Sequence, residues 1–272
     1  MKKKIIVIMS QTLVSRLPAR SLLVLGAALA VVIGFSATAS ATHSWNNYHW
    51  ARQSNPFNLK LSSNLSTDWR PYLQTTSTDW SASSVLDTSV IQGVKNPKTC
   101  RATLGQVEVC NARYGQTGWL GLAQIWLSGS HITQGTAKMN DTYFLTAKYN
   151  TPEEKNHVMC QEVGHTFGLG HQDETGAALG TCMDYSMSAG SQHPDAHDYA
   201  MLEQIYTHLD PTTTVSAATN ATQATRDQSD NNNNLNWGRR VFQSQNGRLE
   251  VYEKQFRDGS KLVSFVILAD HS

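Results

Sequence analysis

Apolar and polar residues alternate over 55–61, and similar short runs recur at 84–91, 106–112, 121–127 and 142–147. Each predicts a strand. Helical spacing interrupts them three times. Trp69, Tyr72 and Leu73 share a face within 67–79, where Ser66 or Thr67 is placed to cap and Pro71 fits only a first turn. Pro152, followed by Glu153 and Glu154, opens a second helix that runs to Gly168. Over 195–207, Ala196, Tyr199, Met201, Leu202, Ile205 and Tyr206 form the broad apolar face of a third. The order of strands and helices predicts an α+β fold with a mixed sheet.

The composition changes after residue 210. Residues 211–236 are rich in Thr, Ala, Asn, Asp and Gln and predict a flexible linker. Alternation returns at 239–243, 248–256 and 261–268, with turns at Asn246-Gly247 and Asp258-Gly259, so residues 237–272 predict a small antiparallel β-segment. Three short strands are marginal alone. They are expected to dock on the preceding domain or to pair with another chain.

The densest chemistry is Cys160-Gln161-Glu162-Val163-Gly164-His165-Thr166-Phe167-Gly168-Leu169-Gly170-His171. It fills the pattern H-E-x-x-H-x-x-G-x-x-H except that Gln161 stands at the first histidine. Gln161 and His165 are four residues apart, hence on one helix face, with Glu162 at its edge. His171 lies six residues beyond His165 and returns to that face only if the helix ends. Gly168 is the residue suited to end it. His157, one turn before Gln161, reads as a solvated helix histidine, and His193, His197 and His208 as surface or capping residues.

Thr181-Cys182-Met183-Asp184-Tyr185 follows at the distance of a Met-turn. With both motifs the chain resembles the metzincin metallopeptidases, nearest to matrixin-like members. The resemblance implies a twisted mixed sheet, an active-site helix, a Met-turn and a C-terminal helix in a catalytic domain over 42–210. It implies Zn2+ held by Gln161, His165 and His171, with Glu162 as general base toward a metal-activated water. Met183 would be the Met-turn residue and Tyr185 a hydrogen-bond donor near the metal. It also implies that the apolar segment 118–127 is an edge strand along which an extended peptide pairs.

The N-terminus reads as an export signal. Lys2, Lys3, Lys4, Arg16 and Arg20 flank and precede an apolar run over 21–35, and Ala39-Ser40-Ala41 offers a cleavage site. Removal of residues 1–41 takes five of the 22 basic residues and none of the 21 acidic ones, leaving a formal net charge of −4. No basic block points to nucleic acid or an anionic membrane as partner. Cys100, Cys110, Cys160 and Cys182 suit an oxidising compartment. Four cysteines allow three pairings, and a Cys160–Cys182 bond would tie the active-site helix to the Met-turn. The expectation is a secreted, monomeric zinc endopeptidase acting on protein or peptide substrates. Its rival is a catalytically inactive metzincin-fold binding protein.

Overall fold

Alternating apolar side chains give β2 (Phe57–Asn64) and β4 (Val107–Ala112). Strand β3 (Leu86–Gln92) pairs beside β2, β5 (Trp119–Ser128) is a largely apolar run buried on both faces, and β1 (His49–Trp50) is a two-residue strand at the N-terminal end. A turn at Gly129 leads to β6 (His131–Asn140), and the C-terminal part supplies β7 (Arg239–Gln243), β8 (Leu249–Gln255) and β9 (Lys261–Leu268). In the computed structural model, which describes residues 43–173, 175, 177–184, 186, 188–216 and 236–270, these strands form one sheet. Its order is β3-β2-β4-β6-β5-β9-β8-β7, with β1 pairing parallel to β6. The β3-β2-β4-β6 half is parallel, and from β5 onward every pairing is antiparallel. The fold is mixed α+β, and no helix among the described residues is long and apolar enough to cross a membrane.

The helices are α1 (Arg70–Trp80), α2 (Asp141–Phe144), α3 (Pro152–His165) and α4 (Ala196–Ile205). Pro71 falls in the first turn of α1, where its missing N–H costs nothing, and Trp69 takes the N-cap position without a side-chain cap. Neither Ser66 nor Thr67 caps it. The strand expected at 142–147 is instead the short helix α2, because the Asn140 side chain accepts the Thr142 N–H and starts a turn. Strand β6 is not announced by alternation: Gln134, Thr136, Lys138 and Asn140 are all buried. Partners make this tolerable for Lys138 and Asn140, whereas Thr136 Oγ1 is buried without a hydrogen-bond partner. Lys138 Nζ donates to Gln124 Oε1 at 3.3 Å, and Asn140 Nδ2 donates to the carbonyls of Gly115 and Trp119 and to Thr117 Oγ1, each at 3.1 Å.

The last three strands continue the main sheet instead of building their own. β9 pairs antiparallel with β5 in the register Leu122↔Val266, Ala123↔Phe265 and Ile125↔Val263. Residues 211–216 of the expected linker are tied down: Thr214 N–H bonds to Ala51 O and Ser216 N–H to Gly105 O, each at 2.9 Å. Residues 217–235 and the export signal over 1–41 lie outside the described residues. The core between sheet and helices includes Trp50, Trp80, Phe144, Phe167 and Phe265, each at most 1% exposed.

Candidate metal centre

Helix α3 carries the motif, and its ends are well defined. Thr151 Oγ1 accepts the Glu154 N–H at 3.2 Å, and Glu153 and Glu154 in the first turn suit the positive end of the helix dipole. The helix stops at His165, and Gly168 turns the chain with φ +97°. A Cβ at Gly168 would lie 1.9 Å from the Tyr48 carbonyl oxygen, so both conformation and space demand glycine. The N-terminal segment grips this turn: Trp45 N–H bonds to Gly168 O, and Ser44 bridges to Leu169. His171 is thereby brought back to His165, their rings edge-on with centroids 4.5 Å apart.

Hydrogen bonds fix what each side chain can offer. The Nδ1–H of His165 donates to Leu169 O at 2.9 Å, which leaves a buried Nε2 with no hydrogen-bond partner. Gln161 Nε2 donates to Asp184 O at 2.8 Å, so its NH2 is spent on the backbone and its oxygen is the acceptor that remains. Glu162 is fully buried, and the backbone of Ala123 on β5 is the polar group that acts on its carboxylate. It fits only because β5 has a glycine opposite: a Cβ at Gly121 would sit 2.2 Å from Glu162 Oε1.

Below the helix, Met183 packs where α3 has Gly164, whose added Cβ would be 2.7 Å from the Met183 sulfur. The loop bearing Met183 is held by Asp184, whose Oδ2 accepts from the N–H groups of Leu179 and Gly180 and from Ser191 Oγ. Disulfides join Cys100 to Cys110 and Cys160 to Cys182, and the second ties α3 to this loop. Tyr185 lies outside the described residues.

Burial sets the protonation states. It pushes His165 down to about 4, against the pull of the Leu169 carbonyl, and pushes His171 well below its ordinary value, helped by His165, His43 and His157. Both are then neutral imidazoles at pH 7, the form that binds metal. Burial also drives the Glu162 carboxyl well above the usual carboxylate range. His157 is not the solvated histidine its helix position suggested. It is 4% exposed, held at about 4 chiefly by burial, and shares a small cavity with Gln161, Asp184, Arg248, Leu249 and Ile267.

Arg248, Leu249 and Ile267 of that cavity come from the C-terminal segment, whose placement corrects the expectation for 118–127. Strand β5 is not an edge. β9 occupies its outer side along almost its whole length. Phe265 from β9 stacks on His165 and meets Trp45 edge-on at 5.6 Å. Gln161, Glu162 and His165 are consequently at most 1% exposed.

Local reading of the sequence missed other residues here. His43 packs flat on His197, 4.7 Å between centroids, with Nε2 3.2 Å from Asp198 Oδ1. His49, His208 and Asp210 form a second group with the donor set of a metal site. No signal in the local spacing links these residues, because each group joins the N-terminal segment to α4 or the loop after it.

No protein-family model and no curated protein matches the chain. Among solved structures, that of myroilysin is similar to it, with 11% identity, a TM-score of 0.36, and coverage of 61% of this chain and 98% of that chain.

Proposed function

We propose that the chain is a secreted zinc-dependent endopeptidase of metzincin type, at rest with its cleft filled by its own C-terminal strand. The observation that carries the reading is the matched wiring of Gln161 and His165. Each spends an N–H on a backbone carbonyl, of Asp184 and Leu169 respectively, and keeps one acceptor atom. A Gln amide so oriented can replace an imidazole as a neutral ligand. Gln161 Oε1, His165 Nε2 and His171 would hold Zn2+, and the buried His165 Nε2 without a hydrogen-bond partner fits such an ion. Bound zinc supplies an acidified water and polarises the scissile carbonyl.

Glu162 does the proton work. Glu162 lies beside Gln161 and against Gly121 of β5, and in its ionised form it is placed to take a proton from water and return it to the leaving amine. Tyr185 is assigned to donate a hydrogen bond to the oxygen that develops negative charge. A peptide substrate would add as a strand to β5, in the place β9 now holds, so cleavage requires β9 to leave.

The covered cleft also favours a second reading, an inactive binding protein of the same fold. Zinc titration and peptide cleavage with full-length wild type, Gln161→His, Glu162→Gln and Phe265→Ala separate the two. The peptidase reading expects tighter zinc in Gln161→His and cleavage by Phe265→Ala that vanishes when Glu162→Gln is added. A folded, zinc-loaded Phe265→Ala chain that cuts nothing supports the inactive reading.

A further inference from the structure

Asp210 follows α4, and its two oxygens have different company. Oδ2 accepts from the Arg52 backbone N–H at 3.2 Å and from Arg52 Nη1 at 2.9 Å. Arg52 Nη2 also donates to the carbonyls of Tyr206 and His208, so this one guanidinium pins the backbone of the loop. Oδ1 faces imidazoles only: His131 Nε2 at 3.1 Å, His49 Nε2 at 3.6 Å and His208 Nε2 at 3.7 Å. The Nε2 atoms of His49 and His208 are 3.2 Å apart.

The tautomer of His49 is set from behind. Its Nδ1 lies 2.7 Å from Asn47 O, an acceptor that requires the proton there, so Nε2 presents a lone pair toward His208 and Asp210. A ring whose Nε2 faces another imidazole nitrogen at 3.2 Å and a carboxylate oxygen at 3.6 Å is arranged for a cation. For a tetrahedral ion with bonds of about 2.0–2.1 Å, neighbouring donor atoms stand about 3.3 Å apart. The separations of 3.2, 3.6 and 3.7 Å in this triad are close to that spacing.

We propose that His49, His208 and Asp210 form a second transition-metal site, separate from the Gln161–His165–His171 centre, with a preference for Zn2+. The donor set of two imidazoles and one carboxylate suits zinc better than calcium or magnesium. His131 is a positioning residue that donates to Asp210 Oδ1 and fixes the carboxylate. The His208 side chain is 55% exposed, which gives an ion a route in and leaves room for water as a fourth ligand. The other His–Asp group is less suited. Asp198 already accepts from Gln172 Nε2, Thr181 Oγ1 and the Asp195 N–H as part of the α4 capping box.

The site would join β1 to the loop after α4. Next to His49, the Tyr48 carbonyl meets Gly168, and Tyr206 OH donates to Phe167 O at 2.9 Å. A bound ion would therefore brace the turn that delivers His171.

The test is to count zinc in the full chain by native mass spectrometry after Zn2+ loading and desalting, with thermal unfolding as a check of folding. Wild type should hold two ions, His208→Ala one, and His165→Ala one that is lost when His208→Ala is added. His131→Ala should weaken the second site by about 10–100-fold, the range for outer-shell partners of a metal ligand. Failure of the catalytic reading alone would leave wild type with one ion, sensitive to His208→Ala and not to His165→Ala. Equal zinc content in folded wild type and His208→Ala overturns the proposal and leaves a hydrogen-bonded cluster only.

Discussion

The Phe265 ring lies flat on the His165 imidazole, with centroids 4.3 Å apart and planes 6° from parallel. A residue of the last strand thus covers a residue of the candidate metal centre 100 positions earlier in the chain. The contact accompanies strand pairing, since Phe265 is in register with Ala123 on β5. β9 holds its place both by backbone hydrogen bonds and by an aromatic side chain set into the cleft.

Phe265→Ala should loosen this plug. Truncating a buried Phe costs on the order of 3 kcal/mol, enough to raise the open population at least about tenfold if the loss falls mainly on β9. Cleavage of a fluorogenic peptide at saturating zinc should rise by that factor, and a chelator should strip zinc faster. Unchanged rates in a folded variant would show that β9 does not limit access.

A second prediction tests the glycine opposite Glu162, the proposed general base. In Gly121→Ala the new Cβ would meet Glu162 Oε1 at 2.2 Å and Val158 Cγ1 at 2.7 Å, so the carboxylate must move. Displacing a catalytic group by about 1 Å costs on the order of 100-fold in rate. Peptide turnover by Gly121→Ala, measured in the Phe265→Ala background, should fall by about that factor while zinc stoichiometry holds. Full turnover would mean that Glu162 needs no fixed position.

Local spacing made the clustering of Gln161, Glu162, His165 and His171 legible, and long-range pairing hid its surroundings. Gln161, Glu162, His165 and Gly168 lie within one helix and its turn, where a period of about 3.6 residues fixes relative placement. Strand β6 was missed because its interior positions are polar and are reconciled with burial by partners such as Gln124, which only the folded sheet supplies. The covering of β5 by β9 joins residues about 140 apart, and alternation along β9 says nothing about which strand accepts it. The same distance hides the His49–His208–Asp210 group.

The Cys160–Cys182 bond closes a loop of 22 residues around the candidate metal centre. In the loop-entropy model a bond of this span contributes about 3 kcal/mol. The Cys160→Ala/Cys182→Ala pair should therefore lose about that much in denaturant unfolding and bind zinc more weakly, because the loop bearing Met183 and Asp184 is freed. Weaker zinc without lower stability, or the reverse, would separate the bond from one of these roles.

The final prediction concerns pH and a carboxyl away from the metal. Glu154, in the first turn of α3, is 8% exposed, and its Oε1 has no hydrogen-bond partner. Burial pushes its carboxyl up to about 7, opposed by the positive charge of Arg248 and reinforced by Asp270. Folding therefore favours the protonated form. Its contribution to stability is fully present below the unfolded value of about 4.3 and is lost as pH rises through 7. Glu154→Gln keeps the shape and carries no charge to bury. Around pH 8 the variant should be more stable than wild type by up to about 2 kcal/mol, discounted from the full linkage for partial solvation and the helix N-terminus. The gap should close on approach to pH 4, where both side chains are neutral. Urea unfolding at the two pH values measures it, and a gap that is constant, or larger at pH 4, would mean that folding does not raise the Glu154 carboxyl above its ordinary value.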